Sequence, residues 1–270
     1  MKSEKQNLID FYSKYIVLAE KRYGKLPEHC YHTTFKHGVC PETGISGANC
    51  VYNVCYINPK SIDPEASVFH EMEHIRTAHM PYDNPVLVGI VEYSFEKNEY
   101  LGEALNEALT EISVEILLGR KSKPYAHFET TVLAKQIGAV LGFTNDQLLK
   151  FYTKGGRINF IQAFANLVCE QIRESSSGFR FGVIGSFEEL ELIHGSLHRA
   201  HLDDMNKEHE KYGKITEPLG ICPSEQTTEL RKLFQGGLMN RLKQGLENRV
   251  ISQDEFDKRT QRVSELSPYI

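Results

Sequence analysis

The most constraining feature of this chain is a run of acid without base. Glu103, Glu107, Glu111 and Glu115 recur every four residues, and no Lys or Arg stands between Asn98 and Gly119. The positions among them are mostly Ala, Leu, Ile and Val. Four residues turn a helix by about 400°, so the carboxylates form one slowly drifting ridge. Each like-charged pair at that spacing costs roughly 0.2–0.5 kcal/mol, and a solvated face would interleave Lys or Arg. A helix this apolar between its acids is buried on more than one side. Its carboxylates then need a cation from elsewhere in the fold.

A source of one lies upstream. His70-Glu71-Met72-Glu73-His74 places two imidazoles at i and i+4, on one face of a helix and about a turn apart. That is the bite of a single Zn²⁺, and Glu71 stands beside it where a carboxylate acts as general base. Asp63-Pro64-Glu65 reads as an N-cap, a proline at the first helical position and an acidic first turn. The helix is predicted to run to about His79, with Pro81 stopping it. The acidic helix is predicted over about Glu99–Leu118. Zn²⁺ held by His70, His74 and Glu107 supplies the missing cation, and Glu111, one turn on, orients an imidazole. The alternative is an acidic helix facing solvent, with two surface histidines elsewhere.

Taken together, His70-Glu-Met-Glu-His74 and Asn106-Glu107-Ala-Leu-Thr110-Glu111 resemble the gluzincins, zinc metallopeptidases of the thermolysin type. The resemblance covers the two motifs between residues 70 and 111. It implies Glu107 as third ligand, Glu111 as support for the first histidine, Glu71 as catalytic base and one Zn²⁺ per chain. It implies peptide-bond hydrolysis through a metal-activated water, on a protein or peptide substrate. The implied fold is α+β and zincin-like, with a small mixed sheet packed on the active-site helix. Asn53–Ile57 is weakly similar to the zincin edge strand that pairs with the substrate backbone. The gap from His74 to Glu107 is longer than in thermolysin. His79 follows His74 by five with no glycine where the metzincins carry one, so a three-histidine site fails on spacing. Zincins often add a Tyr or His that stabilises the oxyanion. Tyr100 lies seven residues before Glu107 and shares its face if the helix already includes it; Tyr93 and Tyr125 are the next candidates.

The rest of the chain frames this region. Residues 5–23 form an amphipathic pattern stopped by Gly24 and Pro27, and residues 30–58 read as short strands joined by glycine-containing turns. A catalytic region is expected over 1–123 and a mainly helical region over 124–270 that completes the cleft. Its last helices are expected near 224–246 and 252–265, and Ser175–Gly178 is the expected flexible connection. His194, His198 and His201 fall at i, i+4 and i+7. They read first as a partly solvated polar face, and otherwise as a second metal site or a C-terminal catalytic histidine. Cys30, Cys40, Cys50 and Cys55 are interspersed with histidines, but no Cys-x-x-Cys knuckle seeds a tetrahedral site, so buried or incidental thiols are the reading.

A net charge of −5 gives no bulk attraction for nucleic acid or anionic lipid, and no apolar run approaches a membrane span. Neither a nucleic-acid nor a membrane partner is expected. The N-terminal stretch has no apolar core of a secretory leader, so a cytoplasmic protein is expected, with delivery into a host cell as the alternative. The rival function is a zinc-stabilised, catalytically inactive interaction protein. A helical binding module with no metal is the weaker one.

Overall fold

A computed structural model describes residues 4–38, 46–58, 61, 63–79, 87–94, 99–121, 128–152, 156–168, 177–212 and 223–266. The fold is α+β, mostly helical with small sheets. The chain divides into two compact units, one of residues 1–91 with 110–124 and the other of 92–109 with 125–270. The dividing line passes through one continuous helix, so residues 92–109, expected with the catalytic region, group with the C-terminal part.

The first unit opens with α1 (Glu4–Tyr23), followed by a short 3-10 turn (Glu28–His32) and strands β1 (Thr34–His37), β2 (Gly47–Asn49) and β3 (Val54–Ile57). The strands form a mixed sheet in the order β1-β3-β2, with β1 parallel and β2 antiparallel to β3. Asn53, at φ 50°, ends the β2–β3 turn in the left-handed region that Asn tolerates better than most residues. Within β3 the alternation turns Cys55 and Ile57 inward. The small mixed sheet is as expected, but β3 is its central strand, not an edge. Among the described residues the antiparallel edge is β2. A resemblance confined to one strand carries no information about what flanks it, and the register Ala48↔Cys55 is set by the turn.

Helix α2 (Pro64–Thr77) follows. Asp63 caps it, accepting the Ala66 N–H at 3.1 Å, and is held in turn by Arg120. Val68, Phe69, His70, Glu71, Met72 and Glu73 are all buried, so this helix is covered on almost every side. Phe69 meets Tyr15 of α1 edge-on at 5.3 Å, and Leu8, Ile57, Met72 and Val114 continue the same core. The helix stops at Thr77, two residues early, because Ala78 is extended (ψ 135°) and begins a strand. That strand, β4 (Ala78–His79), pairs with β5 (Leu87–Val88).

The second unit begins with a hairpin, β6 (Glu92–Ser94) and β7 (Glu99–Leu101). Gly102, at φ +84°, then turns the chain into α3 (Glu103–Leu118). The helix expected from Glu99 thus starts four residues late. Beyond it come α4 (Phe128–Leu141), α5 (Asn145–Leu149), α6 (Gly156–Val168), α7 (Ser177–Tyr212), α8 (Glu225–Glu247) and α9 (Gln253–Glu265). The last two match their expected spans within a residue. Phe160, Phe164, Phe187 and Phe234 form the centre of this core. Gly237 lets α8 approach α7 closely, since a Cβ there would lie 2.7 Å from a Leu190 methyl. Among the described residues no helix is long and apolar enough to cross a membrane. The Ser175–Gly178 connection lies largely outside the described residues; α7 already begins at Ser177.

Candidate metal centre

The Asp63 cap fixes where α2 starts, and the helical period then stacks His70 and His74 on one face. Their rings meet edge-on with centroids 4.6 Å apart, and the two Nε2 atoms are 2.9 Å from each other. His70 is buried, and its Nδ1–H donates to Glu111 Oε1 at 2.8 Å. That bond fixes the tautomer and leaves the His70 Nε2 as an acceptor. The facing His74 nitrogen supplies a proton to it.

Glu107 stands one turn before Glu111 on the same helix, α3. Its carboxylate and the two imidazoles bring their ligand atoms within 4.8 Å of one another. This is the group among the described residues that can hold a metal ion. The donor set fits zinc. Two nitrogens bound to one Zn²⁺ at a tetrahedral angle lie about 3.3 Å apart; here they stand at a hydrogen-bond separation of 2.9 Å, so they would part by about 0.4 Å to take the ion. Two imidazole nitrogens this close require a proton or a cation between them; the His74 proton meets that need here, and a bound metal ion would take its place. The acidic ridge is graded: Glu103 is exposed, Glu107 half-buried, Glu111 buried and Glu115 half-buried. Partial burial, then the charge of Glu107, raises the Glu103 carboxyl above its ordinary range.

Glu71 is 4% exposed. Its charge reaches Cys50 and Cys55, so it lies on the side of α2 that packs on the β2–β3 hairpin. Burial pushes the Cys50 thiol up to about 12, with a smaller push from Glu71, and raises Cys55 as well. Cys30 is likewise pushed up to about 12 by burial. These are free thiols in an apolar setting, not thiolate ligands. Cys40, Cys169 and Cys222 lie outside the described residues.

Tyr100 is placed differently from the sequence expectation. It belongs to β7, not to α3, so the seven-residue argument for a face shared with Glu107 does not apply. The ring is 43% exposed and packs on Tyr93 at 5.1 Å. The helix pattern failed here because a glycine one residue before a helix can equally be its first turn or a break. Tyr125 lies outside the described residues. His79 donates from Nδ1 to the Thr77 carbonyl in β4 and joins no metal-holding group among the described residues.

The α7 histidines are not a solvated face. His194 and His201 are 1% and 2% exposed. His194 donates from Nε2 to the Thr130 carbonyl at 3.1 Å, and burial pushes its pKa down to about 4. His198 shares a hydrogen bond with the Thr130 hydroxyl at 2.7 Å. Burial holds its pKa below the ordinary value against the upward pull of Glu107. His198 is therefore in electrostatic reach of the third candidate ligand. The i, i+4, i+7 spacing showed the shared face, but not that α4 covers it. No protein family, curated protein or solved structure matches this chain.

Proposed function

We propose that this protein is a zinc-dependent peptidase of the gluzincin kind, hydrolysing peptide bonds with restricted specificity. The observation that carries the reading is the grouping of His70, His74 and Glu107, with their ligand atoms within 4.8 Å of one another, and Glu111 already bonded to His70. A purely structural site has no use for a carboxylate at position 71. Bound there, zinc would supply Lewis-acid polarisation of the scissile carbonyl and a more acidic water. Glu71 takes the proton of the attacking water and later passes it to the leaving amine. Glu111 keeps the His70 ring turned so that Nε2, not Nδ1, faces His74 and would be the atom that holds the metal. Tyr100 and His198 are the candidate donors to the developing oxyanion. His198 is favoured by its proximity in charge to Glu107. Among the described residues β2 is the antiparallel edge, and its backbone groups are the candidates to pair with a substrate strand, the role expected of Asn53–Ile57. A peptidase active among cytoplasmic proteins must be selective, which is why restricted specificity belongs to the proposal.

The test has two parts. Elemental analysis should find about one zinc per chain in the wild type and a sharp loss in Glu107→Ala. Mass spectrometry of a denatured protein mixture should then find new peptide termini with the wild type and none with Glu71→Gln. Zinc without cleavage, indifferent to Glu71→Gln, would make this a zinc-stabilised interaction protein. No zinc in a folded wild type would refute the metal reading.

A further inference from the structure

Beside the candidate ligands on α2, Glu73 is 0% exposed, three residues after His70 and one before His74, in a setting where a carboxylate is costly without partners. Its partners come from three helices. Arg76 of α2 donates to both carboxylate oxygens, at 2.9 and 2.6 Å. Tyr15 of α1 donates to Oε1 at 2.8 Å. Ser113 of α3 donates to Oε2 at 2.7 Å. Because the Ser113 hydrogen is committed to Glu73, the Tyr23 hydroxyl must donate to Ser113, at 2.6 Å. The Tyr23 ring also carries the Arg76 guanidinium at 4.1 Å.

The Ser113 bond does more than satisfy a buried charge. Helices α2 and α3 are already joined by His70–Glu111. Glu73–Ser113 adds a further rung, three residues along α2 and two along α3, and two such rungs resist a roll of one helix against the other. Metal–ligand bond lengths fall within about 0.2 Å of their usual values, so a roll of α2 against α3 would move Glu107 relative to the two imidazoles and weaken binding.

We infer that the Glu73–Ser113 hydrogen bond is a positioning device for the metal centre, setting the rotation of α2 against α3 so that His70, His74 and Glu107 converge. The inference rests on the metal-centre reading above. Ser113 and Glu73 are positioning residues: each acts through the helices and neither serves as a ligand.

Removing Glu73 risks the fold, so the test uses two milder variants that each delete one hydrogen bond to it. Ser113→Ala removes the rung to α3. Tyr15→Phe removes the tether to α1 and leaves the rung intact. Both are expected to lower Tm by a similar few degrees. Zinc affinity, measured by chelator competition well below Tm, should weaken about tenfold in Ser113→Ala and stay unchanged in Tyr15→Phe. The visible absorption of the cobalt-substituted protein should change only in Ser113→Ala. Equal affinities and superimposable cobalt spectra in the two variants, with zinc bound by the wild type, would overturn the inference while leaving the metal reading standing. A folded wild type that takes up no zinc would overturn both.

Discussion

His194 makes acid sensitivity a quantitative matter. Its imidazole is fully enclosed, with the ring 5.7 Å from that of Phe234 and Nε2–H bonded to the Thr130 carbonyl. Burial dominates, and the nearby His198 lowers the pKa further, so the native value falls from 6.5 to about 4. The unfolded chain takes up a proton below about pH 6.5 while the native chain does not, so stability is complete above that pH and is lost as pH falls towards 4. At roughly 1.4 kcal/mol per pH unit, the loss from this one residue is about 3 kcal/mol. That is a large share of the 5–15 kcal/mol typical of a folded domain. His194→Gln keeps an N–H donor for Thr130 but has nothing to titrate. Urea unfolding followed by circular dichroism at pH 7, 6, 5 and 4 should show the wild type and the variant converging. Whatever gap the substitution opens at pH 7 should shift by about 3 kcal/mol in the variant's favour by pH 4. Two stability curves that stay parallel over that range would refute the claim that His194 is held neutral by the fold. They would also reopen the α7 histidines as ligands, since the present reading commits the His194 Nε2 to a carbonyl.

Three further outcomes follow from the metal centre and its support. Glu111→Gln should fold normally yet bind zinc 10- to 100-fold more weakly, since an amide orients the His70 ring less firmly; competition with a chromophoric chelator reads this directly. Glu71→Gln should keep its zinc while losing roughly 10²- to 10⁴-fold in hydrolysis, measured on whichever peptide the wild type is found to cleave. Asp63→Ala removes the α2 cap and a partner of Arg120. It should cost about 1–2 kcal/mol in denaturant unfolding, and a variant as stable as the wild type would mean that Asp63 does not support the helix start.

What was legible in the sequence was whatever a single helix encodes. Asp63-Pro64-Glu65 marked the start of α2 because capping chemistry is local. The four-residue spacings of His70/His74 and Glu107/Glu111 specify which atoms share a face whatever surrounds them. Properties that depend on what covers a face were not legible. His194 and His201 looked solvated because polarity is the usual sign of exposure, whereas here the fold buries them. Tyr100 was misplaced for a related reason: Glu99-Tyr100-Leu101 extends an apolar-acidic helix pattern, yet Gly102 takes a positive φ and the cross-strand partner Tyr93 makes the segment a strand. The central position of β3 depends on β1 returning beside it, which no motif within β3 can announce.

The graded burial of the α3 acids explains why one spacing serves different tasks. A carboxylate that holds a metal beside a substrate must stay reachable, and Glu107 is half-buried. A carboxylate that only orients a ligand works better away from water, where its hydrogen bond is not in competition with solvent, and Glu111 is buried against His70. The hydroxyl of Ser113 is deeper still and bonds the Glu73 carboxylate of α2. Along this one helix, exposure falls from Glu103 through Glu107 to Glu111 and Ser113, while the part proposed passes from open surface to candidate ligand, orienting group and positioning group. A regular acidic ridge that faced only water would not bury Glu111 against an imidazole while leaving Glu103 exposed and Glu107 and Glu115 half-buried.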